Sequence, residues 1–171
     1  MALYQKQKGH AHGQAELEAA AFTQNNRSAY EQANNSTLDD STPLGLLGGS
    51  VVAAKGPYQI GACNGDSEVP LGLLLNDVAG GAYENTPAVA SGQGPYAYSM
   101  GAYETDIYET VPEGTSATPF DEIEYTEGEW LYCSPYGLLT NDSNGDTRLG
   151  IAVVTKAPTS TDSRLGFNLR I

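Results

Sequence analysis

From Thr42 to the C-terminus the chain is built of short apolar runs cut by Gly, Pro, Asn and Asp at intervals of roughly ten residues. Nothing constrains the fold more. Twenty glycines and nine prolines run through the sequence, and in a helix interior each Gly costs about 1 kcal/mol relative to Ala and each Pro about 3. Long helices are therefore excluded after residue 40, and the spacing predicts an all-β chain, a small β-barrel or sandwich-like domain. With 171 residues there is material for one well-buried core.

The clearest strand is the last, where Leu165, Phe167, Leu169 and Ile171 alternate with Gly166, Asn168 and Arg170, so that one face is apolar and the other wet. Further strands are predicted at Val51 to Ala54, Leu71 to Leu75, Ala88 to Ala90, Tyr96 to Met100, Ile107 to Val111, Glu129 to Cys133 and Leu149 to Thr155. Residues 1 to 41 differ in texture. Rich in Gln, Asn, Ala and Ser, they read as an extended N-terminal arm, with weakly amphipathic helical turns at Gln14 to Phe22 and Ser28 to Ala33. The predicted organisation is thus an arm over 1–41 and a β-rich domain over 42–171, with an acidic insertion near 104–129.

One phrase recurs. Pro70 to Asp77 reads PLGLLLND, Pro135 to Asp142 reads PYGLLTND, and Pro43 to Leu47 is a shorter echo, PLGLL. Asn-Gly-Asp stands near both long copies, at Asn64 to Asp66 and at Asn144 to Asp146. Asn-Gly tolerates positive φ at both positions and suits a type I′ hairpin turn. The glycine inside the phrase suits a close approach of a neighbouring strand, or a bulge. The phrase carries no nucleophile and no base, so each copy is expected to end a turn and begin a strand.

Charge excludes one class of partner. Eight basic residues face twenty-one acidic ones, a formal charge of −13, whereas affinity for a nucleic-acid backbone comes from clustered Lys and Arg. Residues 1 to 38 are neutral, with Lys6, Lys8 and Arg27 against Glu16, Glu18 and Glu31. Nine acids from Glu104 to Glu129 are uninterrupted by a basic residue and read as a solvated, mutually repelling face. With no apolar run of about 18 residues and no apolar segment near Met1 suited to a signal peptide, the expectation is a soluble protein made in a cytoplasm, with no membrane partner.

Chemistry-bearing patterns are few. Cys63 and Cys133 make neither a disulfide framework nor a metal spacing; buried reduced thiols are the first expectation, with a bridge within or between chains as the alternative. Asp142, Asn144 and Asp146 have the alternate spacing of a calcium loop, but Thr147 stands where such a loop needs Gly and Val153 where it needs Glu. His10 and His12 have no third ligand in view. No Gly-x-Ser-x-Gly elbow and no phosphate-binding glycine pattern occurs, so the chain is expected to be no enzyme and to need no cofactor. Eleven tyrosines, densest at Tyr83, Tyr96, Tyr98, Tyr103 and Tyr108, fit a half-buried sheet or a surface that meets a protein or sugar.

Four segments, GSVVAAK, CNGDSEVPLGLLLNDV, YTEGEWLYCSPYGLLTNDSNGDTRLGIAVVTKAP and the terminal LGFNLRI, resemble in their order the small tailed-phage head proteins of the decoration, or capsid cement, type. The pattern is a G-x-VVA strand, a polar turn, a P-x-G-(L/I)-L-x-x-DV strand and a G-(D/E)-x-LY-x-S-x-x-GLLT segment. It spans residues 42 to 171. The resemblance implies a virion protein on the outer surface of a mature capsid, a homo-oligomer such as a trimer, whose partner is the major capsid protein and which has no catalytic residue. The arm would then be the adhesive, with Leu3, Tyr4, Lys6, Lys8, Arg27 and Tyr30 as anchors. The competing readings are a recognition module, such as a fibre base or adhesin that binds a host glycan or protein through its tyrosines, and a tail or neck component.

Overall fold

The computed structural model describes residues 4–5, 12–17, 48–56, 59–75, 93–98, 101–110 and 123–171. Among these residues the regular structure is all strand: β1 (Tyr4–Gln5), β2 (His12–Leu17), β3 (Val51–Gly56), β4 (Gln59–Ala62), β5 (Pro70–Leu74), β6 (Gln93–Ala97), β7 (Gly101–Thr105), β8 (Trp130–Cys133), β9 (Leu139–Thr140), β10 (Ala152–Lys156) and β11 (Leu165–Leu169). The all-β expectation is met. The strands form two units, a six-stranded sheet in the order β1-β7-β11-β10-β8-β9 and a closed five-stranded barrel, β2-β4-β3-β5-β6. All pairings are antiparallel except β2 with β4.

The period of two explains how one core serves both units. In β3, Val51 and Ala53 join Leu73, Ala97 and Cys63 in a cluster with Tyr103, Leu131, Cys133, Leu139, Val154, Leu165, Phe167 and Leu169 of the six-stranded sheet. Val52, which points the other way, packs with Ile60 and Leu74, and with the partly buried Ala62, Leu71 and Tyr96. Alternate residues of the same strand thus face the sheet on one side and the inside of the barrel on the other. Tyr103 of β7 and Phe167 of β11, cross-strand partners in the six-stranded sheet, stack in this shared core with ring centroids 6.0 Å apart.

Several sequence expectations are corrected. Ile107 to Val111 does not form a strand in its described part: the strand lies just before it, as β7, and Ile107, Tyr108 and Glu109 are buried in succession, which strand alternation on one face cannot do. Thr105 ends β7, its hydroxyl accepting from the Ile107 amide at 3.0 Å. The helical turn expected from Gln14 is strand as far as Leu17, because β2 pairs with β6 and β4. Ile171 is exposed, since β11 stops at Leu169. The strands β1, β4 and β9 had no periodicity long enough to announce them. The expected strand at Ala88 to Ala90, the helical turn at Ser28 to Ala33 and the echo at Pro43 to Leu47 lie outside the described residues.

The two long copies of the repeated phrase have different conformations. The first is β5, in which Gly72 faces Val52 beside a register shift. A Cβ on Gly72 would overlap the carbonyl oxygen of Ala97, so the glycine serves both the close approach and the bulge. In the second copy Gly137 has φ 78° and belongs to a tight turn; only Leu139–Thr140 is strand.

Gly72→Val should therefore destabilise the protein by about 3 kcal/mol, through overlap with β6. Gly128→Ala should cost only about 1 kcal/mol, since Gly128 has φ 88° but open space around it. Urea unfolding of the two variants checks the ranking.

Candidate functional site

Among the described residues a dense polar constellation lies where the barrel meets the sheet. Ser134 begins the turn after β8, its hydroxyl accepting from the amides of Tyr136 and Leu138, both at 3.3 Å. The turn projects Gly137 against β3 and β4: the Gly137 carbonyl accepts from the Val51 amide at 2.8 Å, and the Val51 carbonyl from the Cys63 amide at 3.0 Å. The loop after Cys63 closes over the same turn. The Gly65 amide donates to the Ser134 carbonyl at 3.1 Å, and a Cβ on Gly65 would collide with the Cys133 carbonyl.

Both Asn-Gly-Asp segments meet here, although only one has the expected backbone. Asn144, Gly145 and Asp146 take φ of 47°, 65° and 65°, in keeping with the left-handed conformation that Asn-Gly favours. Yet their loop joins β9 to β10, which are not neighbours because β8 lies between them. At Asn64 the positive φ is absent. The Asn64 carbonyl accepts from the Ser67 and Glu68 amides, its side chain accepts from Asp66 N at 3.1 Å, and its own amide donates to Glu68 Oε2 at 2.7 Å. This is a self-capped turn instead of a type I′ hairpin.

Arg148 locks the two loops together. No Lys or Arg lies between Lys55 and Arg148, and this cation is spent inside the molecule, its side chain 1% exposed. Nε donates to Asp66 Oδ1 at 2.6 Å, while Nη1 donates to the Asp142 carbonyl at 3.2 Å and to Asp142 Oδ2 at 3.3 Å. Asn144 Nδ2 also donates to Asp66 Oδ1, at 3.1 Å. The Arg148 hydrogen bond, and less so that from Asn144, holds the Asp66 carboxyl below the usual carboxylate range. The residues that suggested a calcium loop are thus engaged otherwise: Asp142 Oδ1 accepts from the Asn144 amide at 2.8 Å and Oδ2 faces the guanidinium. Among the described residues no three His, Cys, Asp or Glu side chains stand together as a metal site.

A second charged cluster lies on the outer face of the six-stranded sheet, where Lys156 and Glu104 each register with Gly166. Lys156 Nζ is 2.6 Å from Asp162 Oδ2 and 3.5 Å from Glu104 Oε1, and Arg164 contacts both acids, at 2.9 Å and 3.4 Å. Hydrogen bonds from Arg164 and then Lys156 hold Asp162 far below the usual carboxylate range. Glu104 is therefore part of the scaffold instead of a repelling surface run. So is Glu129, which accepts from Thr126 N at 3.0 Å and Asn141 Nδ2 at 3.2 Å, while Glu109 is buried.

Surface available for contact is apolar near the other end of that sheet. Trp130 is 47% and Leu149 56% exposed, and the indole ring lies over Gly150, where a Cβ would come within 2.8 Å of it. Val153 registers between Trp130 and Asn168 on the same face. The tyrosines divide. Tyr98 is exposed, whereas Tyr103 is 1% exposed and offers no ring to a ligand; Tyr108 donates to the Ser163 carbonyl at 2.7 Å, and Tyr125 to the Glu109 carbonyl at 2.6 Å. Of the arm anchors, Tyr4 stands in β1 and registers with Glu104; Leu3, Lys6, Lys8, Arg27 and Tyr30 lie outside the described residues, as do His10 and Tyr83.

No protein-family model matches the chain, and no curated protein matches it.

The Arg148 junction has a pH signature. Because the Asp66 carboxyl is lowered in the folded state, its contribution is complete above the unfolded value of about 3.9 and fades as pH falls through the lower folded value. Asp66→Asn should flatten the loss of stability below about pH 4, and Arg148→Ala should cost about 2 kcal/mol at pH 7 by leaving two loops untied. Urea titrations between pH 7 and pH 2.5 measure both.

Proposed function

We propose that this chain is a structural virion protein that binds the outer surface of a mature phage capsid and stabilises it against the outward pressure of packaged DNA. The observation that carries the reading is where the phage-like segments fall. Gly49 to Lys55 supplies β3, Cys63 onward supplies the seam loop and β5, Tyr125 to Pro158 supplies β8 to β10, and the last seven residues contain β11. The segments that resemble capsid cement proteins thus hold six of the strands, β3, β5 and β8 to β11, and the seam turns between the two units. A resemblance carried by several segments in one order supports this role more strongly than a single matching motif would.

The distribution of chemistry also supports it. Asp66, Asp142, Arg148, Glu104 and Lys156 are occupied with one another, while Trp130, Leu149, Tyr136 and Val69 are presented at the surface. A shell protein needs contact area, and repetition over a symmetric capsid turns weak contacts into strong attachment. The partner is the major capsid protein, and a trimer suits the local threefold positions of such a shell.

The test must respect the fold. Deleting residues 1 to 40 would remove β2 and open the barrel, so the arm is tested in the full chain by replacing Lys6, Lys8 and Arg27 with Glu. Co-sedimentation with expanded, empty capsids should show saturable binding of the unaltered chain at a fixed ratio to the shell subunit. The triple variant should bind at least about tenfold more weakly. No sedimentation of the unaltered chain would overturn the capsid reading; equal binding of the variant would overturn the role of the arm.

A further inference from the structure

We propose that Cys63 and Cys133 are a disulfide site, and that under oxidising thiol–disulfide conditions a bond between them ties the five-stranded barrel to the six-stranded sheet. Cys63 directly follows β4 and Cys133 ends β8, so the two thiols approach from different units. Both are free and buried in the core shared by the units. Cys133 Sγ lies 3.5 Å from the carbonyl oxygen of Cys63, and also donates to the Ser134 carbonyl at 3.2 Å, while Cys63 Sγ lies 3.9 Å from the Glu68 carbonyl.

Hydrogen bonds already fasten the backbones beside both thiols at the seam. The Cys63 amide is held by Val51, and the Gly65 amide by Ser134, the residue after Cys133. A Cβ at Gly65 would stand 3.1 Å from the Cys133 Cβ. A disulfide needs Cβ atoms roughly 3.5–4.5 Å apart; the segment that carries Cys63 comes this near to Cys133 at Gly65, two residues on, and the Cys133 thiol reaches the Cys63 carbonyl, by contacts that do not depend on the bond.

The Cys63 thiol beside it, and then burial, push the Cys133 thiol up and keep it protonated in the folded core. Exchange requires a thiolate and access to it. The bond therefore closes while the chain is folding or briefly open. One cysteine loses its proton and its sulfur attacks a small disulfide such as oxidised glutathione, releasing one glutathione thiolate. The second cysteine, deprotonated in turn, attacks the protein sulfur of that mixed disulfide and releases the other. The protein loses two protons and two electrons, and the glutathione disulfide gains the electrons. Two segments 70 residues apart in the chain are then joined, which removes much of the freedom of the unfolded state.

The full chain is refolded from urea in a buffer of oxidised and reduced glutathione, then alkylated and weighed intact. The expected product has lost about 2 Da, has no alkylated thiol, and after cleavage at glutamates yields one peptide pair joining Cys63 to Cys133. Its thermal midpoint should exceed that of the reduced protein by about 5 °C or more, a difference that Cys63→Ala and Cys133→Ala each abolish. Two alkylated thiols, glutathione adducts on both cysteines, or a disulfide-linked dimer would each overturn the proposal.

Discussion

The structure depends on the seam where the turn after β8 docks on β3 and β4. A closed barrel and an open sheet each bury one face, and the shared core forms only if their backbones meet without leaving polar groups stranded. The Ser134 to Gly137 turn solves this with hydrogen bonds to Val51 and Gly65. Glycines at 65 and 137 permit the approach, and Gly137 also carries the positive φ that the turn requires. Remove that docking and the apolar cluster running from Val51 to Phe167 would be split between two units too small to be stable separately.

Around the seam, charge is used as a fastener. A chain of net charge −13 repels itself when compact, and three cations offset this locally: Arg148 between Asp66 and Asp142, Lys156 and Arg164 between Glu104 and Asp162. The Arg148 side chain is buried while its acids remain near solvent. That arrangement limits the desolvation cost to one partner and keeps the hydrogen bonds directional. Of the exposed apolar side chains, Trp130 and Leu149 belong to the sheet face, whereas Tyr136 stands in the seam turn itself.

The sequence by itself determined the all-β class, because Gly and Pro recur too often for helices and because β11 alternates in period two. It located β3, β5, β8, β10 and β11 to within a few residues, since each carries its own apolar run. It also marked the repeated phrase as scaffold, and Gly72 as a place of close approach.

Only the tertiary structure decided the rest. The strands β1, β2, β4 and β9 are short or polar and exist because an edge was waiting for them; Gly, Ala and Glu in β7 are weak strand formers, paired on one side by β11. Neither could sequence spacing bring Arg148 to Asp66, 82 residues away, or Cys133 to Cys63, because such contacts follow from how two sheets pack and from nothing local. The same phrase became a strand at Pro70 and a turn at Pro135 for that reason. Gly72 is held extended between β3 and β6, whereas Gly137 must turn to let the sheet meet the barrel.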